Sequence, residues 1–550
     1  MSTATPAAQG DEPKADIQDV NHLEHVAGDI DAAKIANFVI DNSGEVSRYA
    51  DLNFTQTLKQ FWRAMAISFA CGVCAMGDGY QYKMPGNIVA LQGFIMQMGS
   101  KNAAGKWVLD SQHVAAWGGI YAGSLVVILL VGNWPLDRFG RKPMLWAVQI
   151  FMIIAAIIEC FATNWTHWLA AKIMNGFSVG CNQMAATTYI SEIAPTRARG
   201  AALGFYQLFW ALGSFGAAIA LQIVSTLPSD KWRNAVYSQW VFVGLAIIVL
   251  LLIPETPRFY ALKGDHEKAK QILLKVNSSV PNYDLEHEYA IILKEIEDGR
   301  ILAAKQSGVT VLDCFRGTNL RRTIVAIVPF NNQLWDGAPA LFSYTSYFFQ
   351  QAGIAQPFIA TVAVNSVLCA FVALSFWATE KVGRRPLLVW CGAAMVPCLF
   401  VVGGILKLPS SNATGGAMIA VSCLWVALYS CSAGPLGFAF LAECSTAILR
   451  AKTANMGALG FALLSLITTY CTPLMLASPV FGVPATMFFY GSTSLVFVVI
   501  MYFVIPETKN RSYVELDEMF ELKVPARKFA TFETSIDRAR KLGVLGTETA

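Results

Sequence analysis

Two carboxylates stand where a carboxylate is costly. Asp78 and Asp336 fall within long apolar stretches, each followed by a glycine (Asp78-Gly79 and Asp336-Gly337). An ionised side chain at membrane depth is expensive and is by default a functional candidate. Each acid has an amide three residues away, Gln81 after Asp78 and Gln333 before Asp336. On a helix, positions i and i+3 share a face. The spacing therefore predicts two acid–amide faces turned toward one cavity. A carboxylate accepts hydrogen bonds, and an amide both donates and accepts, which suits a polyhydroxylated solute. The same two acids are the candidates for proton coupling. The alternative is structural: an acid paired with a nearby cation such as Lys83, or one seated at headgroup level. No nucleotide-binding loop, metal-ligand cluster or nucleophile–base arrangement is present. The twelve cysteines lack zinc or redox spacing and read as small packing residues. No catalysis, metal, cofactor or nucleic-acid partner is expected. Any movement of solute must be facilitated or driven by a coupled ion.

The elements that position these residues are membrane helices. Of 550 residues, 55% are hydrophobic and only 14% charged, against about 25% charged in soluble domains. Apolar runs extend to the roughly 20 residues that span a hydrocarbon core. Hydropathy predicts spans over 63–82, 113–133, 144–162, 167–190, 201–223 and 237–254, then 323–349, 357–378, 387–407, 417–442, 453–475 and 484–505. The expected fold is an all-α integral membrane protein, with twelve transmembrane helices in two six-helix pseudo-symmetric bundles. Its parts are a cytoplasmic tail at 1–60, a bundle at 61–254, a linker of short amphipathic helices at 255–320, a bundle at 321–505 and a tail at 506–550. No basic start precedes a short apolar stretch, so no cleaved signal peptide is expected.

Basic residues crowd alternate loops: Arg138, Arg141 and Lys142; Arg197 and Arg199; Lys381, Arg384 and Arg385; Arg450 and Lys452. The other loops are poorer. The positive-inside rule puts both termini in the cytoplasm, consistent with a multi-pass protein of the plasma membrane. It leaves the sequons at Asn164 and Asn412 outside, as candidate glycosylation sites. Glu159 would lie near the outer end of span three, as an interface residue.

The halves echo each other. Asp137-Arg138-Phe139-Gly140-Arg141-Lys142-Pro143 returns as Glu380-Lys381-Val382-Gly383-Arg384-Arg385-Pro386. Glu192…Arg199 returns as Glu443…Arg450, and Pro254-Glu255-Thr256-Pro257-Arg258 as Pro506-Glu507-Thr508. A repeat of roughly 250 residues implies two bundles related by an axis along the membrane normal. Charge bias alone explains the arginines but not the shared acid, glycine and proline spacing. Asp137, Arg141, Glu192, Arg199, Glu255, Arg258, Glu380, Arg384, Arg385, Glu443 and Arg450 are the candidates for a cytoplasmic gate that biases a two-state equilibrium.

These motifs resemble the sugar porter family of the major facilitator superfamily. The resemblance covers about residues 60–522 and rests on 137–143, 189–200 (YISEIAPTRARG), 254–258 (PETPR), 383–386 and 506–520 (PETKNRSYVELDEMF). It implies a secondary carrier of a mono- or disaccharide or polyol, working by alternating access as a proton symporter or a facilitator. Gln207 matches a position whose glutamine faces the sugar in the family. In Asn332-Gln333-Leu334-Trp335-Asp336-Gly337-Ala338-Pro339 the family's first glutamine is kept as Gln333, its second is Leu334 and its asparagine is Pro339. Phe438 replaces a tryptophan and offers a stacking surface. Gln81 stands where proton-coupled members carry an aspartate. Gln207, Gln333, Asp336, Gln81, Asn332 and Phe438 are thus the expected solute contacts. The departures leave open a quinate-like acid or a secondary metabolite as cargo, or a non-transporting nutrient receptor.

Overall fold

The computed structural model describes residues 47–541 apart from 50, 51, 104, 308, 309, 410, 447, 448 and 510. Most of the expected N-terminal tail (1–46) and the last residues (542–550) lie outside that range. Residues 47–531 form one unit; the described part of the other, 532–541, carries the short helix Ser535–Lys541.

The first six spans are α1 (Trp62–Ile88), α2 (Ser111–Val131), α3 (Arg141–Phe161), α4 (Trp165–Ile193), α5 (Arg199–Ser225) and α6 (Gln239–Leu252). Three linker helices follow: α7 (Pro257–Lys263), α8 (His266–Val276) and α9 (Leu285–Ser307). They share a small core of Ala261, Ala269, Leu273, Tyr289 and Ile296. At 23 residues, α9 is longer than the short helices expected there. Span seven is broken into α10 (Gly317–Asn332) and α11 (Thr345–Gln351). Then come α12 (Pro357–Val382), α13 (Gly392–Ile405, extended back to Arg384 by shorter turns), α14 (Asn412–Cys431) running into α15 (Ala433–Glu443), α16 (Arg450–Ala477) and α17 (Gly482–Val504). A further helix, α18 (Tyr513–Glu521), follows the membrane spans.

Among the described residues, nine helices are long and apolar enough to cross a membrane. The three spans outside that set are α1, α4 and the broken seventh. They carry Asp78 and Lys83, Lys172 and Glu192, and Arg321, Arg322 and Asp336, respectively. The low hydropathy of these three spans comes from the polar groups they carry. It also explains why α1 runs six residues past the expected end at 82: Lys83 and Asn87 are buried rather than solvated.

Helix starts follow local chemistry. Asp110 caps α2 by accepting from Gln112 N at 2.8 Å, and Ser411 caps α14 through Thr414 N at 3.2 Å, each satisfying a donor that the first turn leaves free. α1 crosses α5 in direct backbone contact. A Cβ built on Gly79 would lie 1.9 Å from the Trp210 carbonyl oxygen, and one on Gly213 would lie 2.0 Å from that of Met76. Only hydrogen fits at either point, as expected where small residues let membrane helices touch backbone to backbone. Ser214 Oγ adds a hydrogen bond to Gly79 O at 3.0 Å. Between the halves, α2 packs on α16 and α5 on α12.

Gly79→Val and Gly213→Val should each lower thermal stability by about 1–3 kcal/mol or more, the range for overpacked sites. Gly404→Val should not, because a Cβ there meets nothing within 4 Å. Size-exclusion profiles of heated, detergent-solubilised protein read this difference; equal losses in all three would refute it.

Candidate functional site

The break in span seven builds half of the site. Asn332 ends α10; Gln333–Gly337 turn, with Gly337 at φ 95°, and a wide π-helical turn covers Pro339–Ser343 before α11 resumes. Pro339 has no N–H to give, and only glycine takes the left-handed φ of residue 337 without strain. Asp336 lies in this turn, its Oδ1 accepting from Ala338 N at 3.2 Å. Asp336 Oδ2, Asn332 Oδ1 and Gln333 Nε2 are buried without a hydrogen-bond partner. Gln333 Oε1 accepts from Tyr429 of α14 at 2.9 Å. Gln333 and Asp336 are therefore neighbours across a turn and not two positions on one helical face.

The other half comes from α1, α2, α4 and α5. Asp78 Oδ2 accepts from Tyr206 at 3.1 Å, while Oδ1 has no partner. The Asn182 amide lies beside it, with neither atom in a well-formed hydrogen bond, and the Tyr121 hydroxyl is buried and unpartnered. Tyr82 and Tyr121 sit within electrostatic reach of Asp78, and Tyr429 within reach of both Asp336 and Tyr82. The two acids thus belong to one polar region, ringed by tyrosines and fed by both halves. Lys83 does not pair with Asp78. Buried polar groups normally find partners, so a cluster of free donors and acceptors marks a place for a polar ligand. The tyrosines and Asn182 escaped the sequence reading because neither is unusual in a membrane helix.

The remaining candidates make no hydrogen bond to this region. Gln207 is half-buried with no hydrogen bond, one turn before Trp210, whose ring meets Tyr82 at 5.2 Å. Phe438 stays exposed and meets Phe330 edge-on at 4.7 Å. Gln81 turns away from Asp78 and donates to Gln239 of α6. Gln239 donates in turn to Glu159 Oε2 at 2.9 Å. Lys172 and Asn175 donate to Glu159 Oε1 at 2.5 and 2.8 Å. Glu159 is 1% exposed and Lys172 fully buried. The expectation of an interfacial Glu159 is therefore wrong: this acid closes a four-helix knot of α1, α3, α4 and α6. Sequence spacing hides it, because its lysine arrives from the next helix.

A seam joins α1 to the broken span at the end opposite the basic loops. Lys83 Nζ donates to Phe342 O and Thr345 Oγ1, each at 2.8 Å, and the residue is 1% exposed. Asn87 donates to Ser343 O at 3.1 Å and accepts from Ser346 N at 2.6 Å. Gln350 donates to Ala90 O at 3.1 Å and Ser343 to Tyr82 at 2.9 Å. A Cβ on Gly86 would strike Ser343 O at 2.0 Å. The irregular turn leaves main-chain oxygens unused by a helix, and α1 consumes them.

At the basic end the sequence repeat becomes a repeat of structure. Arg141 meets Glu192 at 2.9 Å; Glu192 Oε2 accepts from Thr256 Oγ1 at 2.7 Å; Glu255 Oε2 accepts from Lys142 N at 2.9 Å. In the second half Arg384 meets Glu443 at 3.1 Å, Glu443 Oε2 accepts from Thr508 Oγ1 at 2.7 Å, and Glu507 Oε2 accepts from Arg385 N at 3.2 Å. Gly140 (φ 111°) and Gly383 (φ 106°) open α3 and its counterpart, and a Cβ on either would press on Glu255 or Glu507 at 2.6 and 2.9 Å. Burial pushes the Glu255 carboxyl above the usual range, and the Thr256 and Lys142 main-chain donors pull it back. Asp137 adds a longer contact to Arg141 at 3.7 Å. Arg258 instead reaches Glu295 of α9 at 3.1 Å. Arg199 and Arg450 open α5 and α16. The Glu380 side chain lies outside the described residues. Glu507 was not among the expected gate residues, although the repeat aligns it with Glu255. Both the Arg141–Glu192 and the Arg384–Glu443 pairs lie within one half. Asn164 and Asn412 are both exposed.

Twelve spans, a polar site shared by two halves and a matched acid–arginine brace in each define a membrane carrier of two pseudo-symmetric bundles. Residues 67–520 match the family model described as "Sugar (and other) transporter". The chain belongs to that family. It is 26% identical over 543 residues to MFS transporter fmqE of Aspergillus fumigatus, covering 95% of this chain and 99% of that one. It is 25% identical over 526 residues to the general alpha-glucoside permease of Saccharomyces cerevisiae, covering 92% and 82%. The inward-open xylose transporter XylE of E. coli shares the fold, with a TM-score of 0.68 at 18% identity over 82% of this chain and 99% of that one.

Two expectations follow. Lys83→Met should loosen the seam by about 1–3 kcal/mol, the cost of leaving buried acceptors without their donor. Maleimide labelling of Val89→Cys, above the native-cysteine background, should then rise roughly tenfold or more; unchanged labelling refutes it. Glu192→Gln should cost about 3 kcal/mol of thermal stability, because Arg141 is left buried with only the longer contact to Asp137. Glu443→Gln should cost less, since Arg384 and Glu443 keep about a quarter of their side-chain surface exposed, against 6% and 8% for Arg141 and Glu192. Heat-induced aggregation of the two variants checks the order.

Proposed function

We infer that this carrier moves a sugar, a mono- or disaccharide, or a polyol across the plasma membrane by alternating access, with both termini cytoplasmic. The observation that carries the reading is the set of unpartnered buried groups at Asp78, Tyr121, Asn182, Asn332, Gln333 and Asp336. Donors and acceptors at separated points, flanked by tyrosine rings, suit a ligand that presents hydroxyls in several directions and a ring face. Family membership supports the same cargo class, as do relatives named as an alpha-glucoside permease and as hexose transporter HXT10. The rigid bodies proposed to move are 61–254 and 321–505, joined by the linker at 255–320. The basic end is assigned to the cytoplasm by the positive-inside rule, which places Asn164 and Asn412 outside as candidate glycosylation sites. Gln207 and Phe438, near the site but unbonded to it, are proposed to contact the solute during the cycle; Gln81 is proposed to act through the Glu159 knot.

A second reading has a specific observation behind it. Leu334 and Pro339 bury apolar surface at the turn where the family pattern has amides. That favours a less hydroxylated metabolite, such as a quinate-like acid.

The test is radiolabelled uptake into liposomes over a panel of sugars, polyols and quinate, with and without a protonophore. Sugar flux at carrier rates supports the reading and excludes a non-transporting receptor; quinate flux without sugar flux overturns it. Collapse of uptake with the protonophore defines symport, and its persistence defines facilitation. In the symport case, Asp336→Asn and Asp78→Asn should flatten the pH dependence of uptake while counterflow survives. Full pH dependence in both variants would exclude these acids as the proton site.

A further inference from the structure

At the basic end, α10 begins beside the end of α17. Between them Gly317, Leu320, Arg321, Ile324, Phe503 and Val504 line a groove of about 290 Å³. Leu320, Ile324 and Phe503 are exposed, the last by 60%. Such a surface at the end of two membrane spans faces acyl chains.

The charges at the groove's mouth are arranged unusually. The Arg321 guanidinium lies over the rings of Phe520 and Phe529 at 5.5 and 5.7 Å. That of Arg527 lies over Tyr502 and Phe503 at 4.5 and 4.8 Å. Arg385 also approaches Tyr502, at 5.8 Å, and donates to its carbonyl oxygen at 3.0 Å. Phe503 thus lines the groove with Arg321 and carries Arg527 over its ring. Neither Arg321 nor Arg527 has a carboxylate partner among the described residues. The contrast is next door: Arg322 is buried and paired with Asp517. The fold supplies an acid to one arginine and withholds it from its neighbour. An arginine held by its face on aromatic rings keeps its N–H edge free, and that edge matches two phosphate oxygens.

We propose that this groove seats one anionic phospholipid, its phosphate held by Arg321 and Arg527 and one acyl chain lying along Leu320, Ile324 and Phe503. Charge complementarity selects an anionic headgroup, and the apolar lining selects a lipid over free phosphate. The leaflet on this side is the one whose negative surface attracts basic segments. Because α10 and α17 both touch the seat, the lipid ties the start of span seven to the end of span twelve. The inference does not depend on which solute is carried.

The experiment uses the full chain purified in neutral detergent. Thermal unfolding is followed with added phosphatidylglycerol, phosphatidylcholine or inorganic phosphate, and retained lipid is counted by native mass spectrometry. Phosphatidylglycerol should raise the melting temperature and remain bound; phosphatidylcholine and phosphate should not. Arg321→Gln/Arg527→Gln should weaken phosphatidylglycerol at least tenfold, whereas Arg300→Gln on the exposed linker should leave it unchanged. Should the double variant not fold, Arg527→Gln alone, at an exposed position, should weaken binding severalfold. Equal shifts with phosphatidylcholine, an equal shift with inorganic phosphate, or undiminished binding in the arginine variants would each overturn the proposal.

Discussion

A lysine nitrogen with no carboxylate beside it is accommodated inside a membrane by oxygens brought to it. Lys83 is held this way, by the carbonyl of Phe342 and the hydroxyl of Thr345. Those oxygens are free because span seven is not a plain helix. Within lipid, irregular backbone is tolerated only where protein covers it or water lines it, and α1 is the cover. Break and lysine therefore require each other. The same break places Asp336 in a turn and points its free oxygen at the site. Seam and site are two consequences of one interrupted helix.

The opposite end is built on another principle. Each half has its own brace, in which a glutamate at the end of one span meets an arginine from the start of the span before it and accepts from a threonine that follows the last span of that half. The Arg–Glu pairs join elements of a single half, so they stiffen that half without fixing it to the other. Rigid halves are what rocking about a shared site demands. Gly140 and Gly383 show how tight the design is, because a methyl group at either would displace the glutamate that caps the next span.

Much of this was legible in the sequence. Twelve spans, the repeat and the acids at 78 and 336 all follow from hydropathy and motif spacing. The brace partners Arg141 with Glu192 and Arg384 with Glu443 follow from the repeat, and Glu507 would have followed had the repeat been applied in full. What failed was the rule that i and i+3 share a face. It assumes an unbroken helix, which Pro339 and Gly337 deny to span seven. In α1 the helix is intact, but Gln81 follows the pull of Gln239 and Glu159 and not the direction of Asp78. Glu159 and Lys172 were illegible as a pair because periodicity says which face a residue occupies, not which helix that face meets. The tyrosines around Asp78 and Asp336 carried no signal at all, since an aromatic residue in a membrane helix is ordinary until its hydroxyl is seen to lack a partner.

The seam at Lys83 differs from the braces in how it meets the surrounding solution. A partly exposed ion pair such as Arg384–Glu443 weakens as dissolved salt screens it. A buried lysine nitrogen held by a peptide carbonyl and a hydroxyl is out of reach of mobile ions. A closure of this kind holds alike in dilute water and in brine. Dissolved salt therefore has no route to the contacts that hold α1 against the broken span.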